Sequence, residues 1–433
     1  MASLHRDAAR VLDAVFARKG TVKGLVLGGK YANKKALYAI VCETLKYKDA
    51  LEEIIQRSQL LQNVKKLPKT MALVLVFDLL FSRGGLRKTS CPHTRAVLNQ
   101  KTRLKAELAR LKIRRGITRN KELIPESVRQ LVALPRYVRV NLLRTTVDKV
   151  LRHFAKDGYA LCSHAAARAK TICRDRHLSD LLVLPPNTDL HAHPLYLSGD
   201  IILQDKASCF PAHVLAPPPG AMALDGCAAP GNKTSHLASL MGNQGRIWAF
   251  DLDARRLELL QRMTSKANCQ IITPVHQSFL EIDPTAKDYA RVEYILLDPS
   301  CSGSGIVSRL DQLVEQAEQD DDAGKETASS DRLEQLARFQ LECIQHAFKF
   351  PSVKRISYST CSIHRQENEE VVREALLSTD QFELAPRSHV LPDWTHRGEA
   401  IEDQADALIR ASPASDHTNG FFVACFQRRS TAK

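Results

Sequence analysis

The stretch 224–234, LDGCAAPGNKT, lies between a short apolar run at 222–224 and a segment with helical character that starts near Lys233. Small residues at a strand-to-helix turn let a ligand approach the backbone closely, and the following helix offers free amide groups. The glycine pattern of neither a dinucleotide site nor a nucleoside triphosphate site is present. The turn therefore predicts a ligand without a pyrophosphate.

An acidic residue stands in the second position that such a ligand would need. Asp251, in WAFDLDARR, follows Gly231 by 20 residues and ends the next apolar run. A carboxylate there accepts hydrogen bonds from ribose hydroxyls, although an acidic residue at a strand end is also a common helix N-cap. A nucleoside without a phosphate, bound at the ends of both strands, fits S-adenosylmethionine.

The sequence from the proline cluster 217–219 onward alternates between apolar strands and helical segments. This alternation predicts a parallel, doubly wound, Rossmann-like α/β sheet, in which ligands bind at the carboxyl ends of the strands. The expected strands are 222–224, 247–250, 294–297, 353–358 and 421–426, and the expected helices are those from about 233, 254–266, 332–348 and 367–377. The acidic stretch 314–331 cannot bury a core, so we expect a disordered loop there.

Two further domains precede this catalytic domain, which we place at 217–433. Apolar residues three and four apart predict an all-helical domain at 1–125. A strand at 135–141, a helix at 146–155 and a strand at 200–204 predict a small α+β unit at 126–216. Residues 1–150 contain 32 Lys and Arg against 11 Asp and Glu, a net charge of +21, whereas the remainder carries −7. This asymmetry favours a nucleic-acid-binding module over a merely soluble basic domain.

Eleven cysteines without C-x-x-C spacing predict free thiols, most of them buried, rather than disulfides or a zinc site. Two differ from this background. Cys301 follows the strand 294–297 in DPSCSGSG, and Cys361 follows the strand 353–358 in YSTCS. In a doubly wound sheet both positions lie at the carboxyl edge, near the expected cofactor. The sequence alone leaves open which of the two is reactive.

Four motifs in order, DGCAAPGNKT, WAFDLDARR, LLDPSCSGSG and YSTCSIHRQENEEVV, resemble the NSUN-type (Nop/Sun-domain) family of RNA cytosine-5 methyltransferases. PRYVRVN and HPLYLSGDIILQDKASCFPA are similar in particular to the fifth NSUN-type paralogue, which acts on 28S-type large-subunit ribosomal RNA. GLVLGGKYANKKALYAIVCET and RLKAELARLKIRRG extend the likeness into the N-terminal domain, so that it covers nearly the whole chain.

The chemistry that this resemblance implies needs a nucleophile. Carbon 5 of cytosine is too poor a nucleophile to attack a sulfonium, so a thiolate first adds to carbon 6. By resemblance Cys361 is that nucleophile, Cys301 assists product release and Asp298 holds the base near N3. The family form is D-x-P-C, whereas this chain has D-P-S-C; the spacing from Asp298 is kept, so we expect the role of Cys301 to remain.

The resemblance also implies the cofactor contacts and the cellular setting. S-adenosylmethionine is the expected cofactor, ribosomal RNA the expected partner, the nucleolus within the nucleus the expected location, and a monomer the expected state; we expect no membrane segment. A catalytically inactive RNA-binding ribosome-assembly factor is the alternative, and DNA methylation a third interpretation. The implied cofactor contacts are Cys227, Ala228, Ala229, Pro230, Gly231, Asn232, Lys233, Asp251, Arg256 and Asp298.

Several other residues have two interpretations each. Lys206 either reaches substrate or is a solvated loop lysine. His191 and His193 suggest a metal, but the sequence shows no third ligand at a suitable spacing, so we predict ordinary hydrogen bonds and no metal. Arg139 and Asn141 either contact RNA, as the resemblance implies, or connect the two C-terminal domains.

Overall fold

The computed structural model describes residues 2–17, 19–82, 84–87, 91–125, 133–162, 170–306, 325–399 and 402–429. Its described residues up to 125 form one compact unit, and both β-sheets with their helices form a second. This confirms the predicted class of an α/β protein with an all-helical N-terminal domain.

The first unit consists of helices packed around two apolar clusters. Its central helix, Lys69–Leu80, is apolar on nearly every side and buries eight of its twelve residues. A helix that is hydrophobic all round belongs in a core, and the other helices surround it with one apolar face each. The α-helices in this described part of the chain are α1 Ala2–Phe16, α2 Val22–Gly28, α3 Lys34–Lys46, α4 Lys48–Arg57, α5 Leu60–Asn63, α6 Lys69–Leu80, α7 Pro92–Asn99 and α8 Lys101–Arg114, followed by a 3-10 turn at Asn120–Leu123.

The second unit begins with a five-stranded sheet in the order β2-β3-β4-β1-β5. All its pairings are antiparallel except that of β2 with β3. The first strand, the first helix and the last strand confirm the predicted elements, whereas the three short strands between them were not predicted. The elements are β1 Arg136–Val140, α9 Val147–Lys156, β2 Ala160–Leu161, β3 Thr171–Arg174, β4 Leu181–Leu184, α10 Pro194–Ser198, β5 Ile201–Leu203 and α11 Lys206–Leu215.

The larger sheet has the order β8-β7-β6-β9-β10-β13-β11, with β12 also paired to β13. Neighbours from β8 to β10 are parallel, and β13 runs antiparallel to its partners. The strand order reverses between β6 and β9, which is where a doubly wound sheet binds its ligand. The strands are β6 Met222–Asp225, β7 Arg246–Asp251, β8 Ile272–His276, β9 Tyr294–Leu297, β10 Arg355–Thr360, β11 Phe382–Leu384, β12 Ile409–Ala411 and β13 Phe421–Arg428.

Helices cover both faces of this sheet, as predicted: α12 Asn232–Leu240, α13 Ala254–Lys266, α14 Lys325–Phe348, α15 Glu369–Leu377 and the short α16 Pro413–Asp416. One boundary was wrong. Helix α14 begins at Lys325, seven residues before the predicted start, so 325–331 are helical rather than part of a disordered loop. Lys, Glu and Ala in this segment are strong helix formers, which the acidic composition obscured. The rest of the predicted loop, 314–324, lies outside the described residues.

Arg139 and Asn141 connect the small sheet to the large one. Neither side chain reaches solvent, because Arg139 is 0% and Asn141 1% exposed. The Arg139 guanidinium donates to Gln204 Oε1 at 2.8 Å and to Ser235 Oγ at 2.8 Å. Asn141 Nδ2 donates to the carbonyl of Ala267 at 2.8 Å. The connecting role is therefore confirmed, and the predicted RNA contact is wrong for these two residues.

Replacing Arg139 should destabilise this unit more than replacing an arginine on the same strand. Arg139→Ala leaves buried acceptors without their donor, and we expect a loss of about 3 kcal/mol in the free energy of unfolding. Arg136→Ala is the control, since that half-buried side chain makes one bond, to the Thr188 carbonyl at 3.2 Å. Denaturant unfolding followed by circular dichroism compares the two. Equal midpoints would show that Arg139 does not stabilise the interface.

Candidate active site

The turn between β6 and α12 packs closely against neighbouring side chains, so its two glycines leave no room for a Cβ atom. A Cβ on Gly226 would lie 2.9 Å from Leu297, and one on Gly231 would lie 3.1 Å from Leu260. Gly231 also has a φ of +99°, in the left-handed region that favours glycine. Residues 226–231 thus form a compact turn at the carboxyl end of β6, which we call the cradle. The last two predicted cofactor residues of this stretch, Asn232 and Lys233, begin helix α12.

Asp251 closes the second side of this cradle. Its Oδ2 accepts the amide of Ala229 at 3.3 Å, and Arg256, 3.5 Å from the same oxygen, donates to the Ala229 carbonyl at 2.9 Å. The alternative helix-capping role belongs to Asp253, whose carboxylate accepts two amides at the start of α13. Asp251 therefore lies next to the β6 turn and is not the cap of α13, and its ribose-binding role stays a prediction.

Lys233 and Asp298 form an ion pair at the centre of the sheet edge. Lys233 Nζ donates to Asp298 Oδ2 at 2.6 Å, and Ser359 Oγ donates to the other carboxylate oxygen at 2.6 Å. Burial alone would lower the pKa of Lys233, but Asp298 and, more weakly, Cys361 raise it above its usual value. Lys233 is consequently an ammonium, and Asp298 is an acceptor fixed on both sides.

Cys301 and Cys361 are in direct contact, as the strand ends predicted. Their sulfur atoms lie 3.2 Å apart, and both residues are half-buried. The hydrogen bond with Cys361, together with burial, raises the pKa of Cys301 well above its usual value. Cys301 therefore stays protonated, and Cys361 lies close enough to the Lys233 ammonium for their charges to interact. The structure brings both thiols to one point, and the choice of Cys361 as nucleophile rests on the family resemblance.

The loop 298–305 keeps a defined shape although its proline is displaced relative to the family form. The buried Glu367 accepts the amide of Ser302 at 2.8 Å through its Oε1. Gln340 donates to the same oxygen at 3.0 Å and to the carbonyl of Ser300 at 3.0 Å. Helix α14 and the segment before α15 thus hold the residues on both sides of Cys301.

Sequence reasoning missed Ser359, Glu367 and Gln340. One signal was available for Ser359: side chains alternate along a strand, so Ser359 lies on the same face of β10 as the residue two positions later, Cys361. Glu367 and Gln340 gave no signal, because a polar residue in a helical segment predicts a solvated surface.

Cys227 also has a different setting from the other cradle residues. Its thiol hydrogen-bonds to Cys343 of α14, and this bond together with burial raises its pKa well above the usual value. Cys227 is therefore a neutral thiol, whose contribution to a cofactor site is shape rather than charge.

Asp225 lies beneath the cradle, at the last position of β6. Thr234 Oγ1 donates to its Oδ2 at 2.8 Å, and the residue is 1% exposed. Burial raises the pKa of this carboxyl to about 7, and the nearby Asp298 adds to the shift. Its hydroxyl contact ties β6 to the first turn of α12, and so fixes the two ends of the cradle.

The raised pKa of Asp225 predicts a stability change with pH. In the unfolded chain this carboxyl ionises near 3.9, so the folded state holds the proton more tightly between about pH 4 and 7. Stability from this group is therefore present below pH 4 and falls as pH rises through 7, by roughly 2–4 kcal/mol. In thermal unfolding, the melting temperature of Asp225→Asn relative to that of the wild type should be higher at pH 8 than at pH 5. Parallel pH profiles would refute this.

Lys206 belongs to another cluster. Its ammonium donates to Asp175 at 2.6 Å and lies 5.3 Å from the centre of the Trp394 ring. The side chain is 7% exposed, so it is not a solvated loop lysine. That interpretation was wrong because an unforeseen buried carboxylate pairs with it, whereas a contact with substrate or cofactor stays a prediction.

His193 lies near two possible metal ligands, His153 and Asp157, within 4.8 Å of one another. The sequence analysis had found no such third ligand. Nδ1 of His193 accepts the amide of Leu195 at 3.2 Å, so its Nε2 carries the proton and donates to Asp157 at 3.1 Å. The predicted ordinary hydrogen bonds of His193 are therefore present, and the same three side chains form a group that could hold a metal ion.

Three models of known protein families match successive stretches of the chain, and these stretches follow the order of the helical part, the small sheet and the large sheet. The family model described as 16S rRNA methyltransferase RsmB/F matches 212–427. Two models of the NOL1/NOP2/Sun domain family member 5 match 35–124, as its N-terminal domain, and 134–204, as its ferredoxin-like domain. The mouse (Mus musculus) 28S rRNA (cytosine-C(5))-methyltransferase is 45% identical, over 98% of this chain and 91% of its own length.

The chain belongs to the rRNA (cytosine-C5)-methyltransferase family. The fission yeast (Schizosaccharomyces pombe) 25S rRNA (cytosine-C(5))-methyltransferase rcm1 is another member, 41% identical over 97% of this chain and 90% of its own. A solved methyltransferase homologue from Pyrococcus horikoshii shares the fold, with a TM-score of 0.55, 23% identity, and coverage of 86% of this chain and 99% of its own. The predicted family is thereby confirmed.

Two further expectations concern membrane-spanning helices and the domain limits. Among the described helices of this methyltransferase, none is both long and apolar enough to cross a bilayer. The exact domain limits at 125 and 216 stay predictions. Helix α11, which the sequence placed before the second limit, packs against α12 and the large sheet.

Proposed function

We propose that this chain methylates carbon 5 of a cytosine in large-subunit ribosomal RNA, with S-adenosylmethionine as methyl donor and Cys361 as nucleophile. The observation that carries the proposal is the contact of Cys361 with Cys301 at 3.2 Å beside the Lys233–Asp298 pair. A thiolate, an ammonium and a carboxylate at one sheet edge are the groups that addition to cytosine carbon 6 needs. The family's other members support ribosomal RNA as the substrate.

The residues present fit S-adenosylmethionine. The compact turn at 226–231 leads into the free amide groups at the start of α12, and Asp251 beside it offers carboxylate oxygens for ribose hydroxyls. The bound cofactor supplies an electrophilic methyl group. The protein's part is to orient it, with the backbone of 227–232 on one side and Asp251 on the other.

Lys233 and Asp298 suit the Watson–Crick edge of cytosine. Cytosine presents an acceptor at N3 and a donor at its N4 amino group, whereas uracil presents the reverse. The Lys233 ammonium donates to N3, where negative charge develops once Cys361 has added to carbon 6. Asp298, which the resemblance places near N3, is held as an acceptor by Lys233 and Ser359, so its partner there is the adjacent N4 amino group. We propose that this pair both selects cytosine and stabilises the adduct.

Product release requires Cys361 to leave carbon 6 after the carbon 5 proton is lost. Cys301 is the thiol next to the departing sulfur, and its raised pKa keeps it a donor. A hydrogen bond to the leaving thiolate stabilises it as the bond to carbon 6 breaks. The assignment of Cys301 to product release thus has a physical basis in this site.

The substrate is tested by bisulfite mapping of all cellular RNA with and without the protein. We expect one large-subunit rRNA cytosine to lose protection on depletion, and purified protein with the cofactor to restore it on unmodified rRNA. Loss of protection in another RNA class, with rRNA unchanged, would contradict the proposal. Unchanged protection everywhere would favour the inactive assembly factor, against which the intact cradle and both cysteines argue.

We also propose that the protein acts in the nucleolus and as a monomer. The first follows from the substrate, since large-subunit rRNA is made there, and the second from the family resemblance. Imaging of the tagged protein and its sedimentation with and without RNA test these two points. Exclusion from nucleoli, or a stable dimer, would contradict them.

A further inference from the structure

Helix α8 carries two rows of basic side chains on either side of an exposed strip formed by Thr102, Ala106, Ala109 and Ile113. Its leucines face inward, because Leu104 and Leu111 are buried. The residues between the rows, among them Ala106 and Ala109, are exposed. The rows follow from the 3.6-residue period of the helix and consist of Lys101, Lys105 and Lys112 on one side and Arg103, Arg110 and Arg114 on the other.

The arginine row continues onto helix α4. Glu53 accepts hydrogen bonds from three guanidinium groups, those of Arg57 at 3.0 Å, Arg114 at 2.9 Å and Arg115 at 2.9 Å. Partial burial opposes ionisation, but these bonds lower the pKa of Glu53 below its usual value. Three cations on one carboxylate leave an excess of two positive charges. Arg110 of the same row pairs with Glu107 at 2.6 Å, and the excess positive charge that remains attracts anions.

A cavity of about 380 Å³ opens beside this row, between α4, α5 and α6. Its floor is apolar, with Ile55 and Leu73 buried, and the side chains of Gln56, Gln59 and Gln62 at its rim are exposed. Lys69 lines the cavity as well and pairs with Glu52 at 2.8 Å. The cavity adjoins the arginine row directly, because Arg103 donates to Gln59 Oε1 at 3.1 Å.

These features fit one unpaired nucleotide and its flanking phosphates. The volume lies at the lower end of small-ligand sites, about 300–1,000 Å³. Glutamine amides both donate and accept, so they match the edge of a nucleobase, and the apolar floor matches its face. Arginines bind phosphates in bidentate geometry. A base within a duplex cannot enter, because its edge is paired and its faces are stacked.

We propose that the glutamine cavity and the arginine row of the helical domain bind a single-stranded segment of RNA, with one nucleobase in the cavity and its phosphates on α8. This deepens the proposed function, since it takes the bound segment to be part of the substrate RNA. The helical domain is then a second RNA-binding site that holds an unpaired nucleotide outside the catalytic domain.

Binding of two RNA probes to the full chain tests this proposal. The probes are a fluorescein-labelled single-stranded RNA of 12 mixed nucleotides and the same strand in a duplex, measured by anisotropy. Gln56→Ala/Gln62→Ala should weaken single-strand binding about tenfold and leave duplex binding unchanged. Arg103→Ala/Arg110→Ala should make the plot of log binding constant against log salt concentration less steep. The slope should fall by about 1.4, or roughly 0.7 for each phosphate that is no longer neutralised.

Asn99→Ala, an exposed amide at the end of α7 outside the cavity, is the matched control and should bind both probes as the wild type does. The proposal would be overturned if Gln56→Ala/Gln62→Ala lost equal affinity for the single strand and the duplex, or lost no affinity at all. Trapping of Cys361 on 5-azacytosine RNA, measured in the same samples, separates the two hypotheses. A trapped adduct with unaltered binding refutes only the cavity; no adduct in the wild type refutes the proposed function.

Discussion

Cys361→Ser should abolish methyl transfer and remove every covalent complex with RNA that contains 5-azacytosine. A serine hydroxyl is not ionised at neutral pH, whereas a thiol ionises far more easily and its thiolate is the stronger nucleophile. Without the anion no adduct forms at carbon 6, and carbon 5 stays too weak a nucleophile. We expect activity to fall by at least about 10³-fold, that is, by more than about 4 kcal/mol in the barrier.

Denaturing gels with labelled RNA, and tritium transfer from the cofactor, measure this loss. Cys269→Ser is the matched control, since that half-buried cysteine precedes β8 and has no part in the site. Cofactor binding by Cys361→Ser should match that of the wild type, because Cys361 is not in the cradle at 226–231. A Cys361→Ser protein that still forms the adduct would show that Cys301 is the nucleophile.

The sequence was sufficient for the architecture of the large sheet, because buried parallel strands leave continuous apolar runs. Strands β6, β7, β9, β10 and β13 all coincide with predicted segments. The sheet's remaining strands, β8, β11 and β12, escaped prediction for local reasons. Strand β8 is only half-buried and contains Pro274, and the other two have three residues each. A short or half-buried strand lacks the apolar run that marks a central one.

The site was predictable where chemistry lies at the ends of strands. The turn at 226–231, Asp251, Asp298 and both cysteines meet at one sheet edge because parallel strands present their carboxyl ends together. The sequence did not reveal the residues that reach the site from distant parts of the chain. Glu367 and Gln340 act on the Cys301 loop across a tertiary contact. No local period encodes such pairs, so these residues emerge only once the helices are packed.

Arg139 shows a choice that the sequence left open, between an exposed RNA contact and a buried connection. An arginine in a basic segment ordinarily faces solvent, and family likeness suggested RNA. Its place on β1 instead buries it in the second unit, where it donates to Gln204 and Ser235. Burial of so large a charged side chain is a tertiary outcome that composition cannot foretell.

Replacing Cys301 should leave the chemistry of addition intact and slow the release of RNA. In Cys301→Ala the departing Cys361 sulfur loses the thiol that lies 3.2 Å away. A hydrogen bond to a charged atom contributes about 1.5–3 kcal/mol, so release should slow by roughly 10- to 100-fold. The covalent protein–RNA complex should accumulate on ordinary cytosine RNA, where the wild type shows little.

The position of the proline makes this prediction specific to the present loop. In D-P-S-C the residue before Cys301 is Ser300, whose carbonyl accepts from Gln340, while Glu367 holds the amide that follows. These two bonds fix Cys301 from both sides. Gln340→Ala should therefore reproduce part of the accumulation seen in Cys301→Ala, whereas Gln261→Ala, on the distant α13, should not. If neither Cys301→Ala nor Gln340→Ala traps RNA while turnover stays normal, Cys301 is a packing residue and Cys361 leaves unaided.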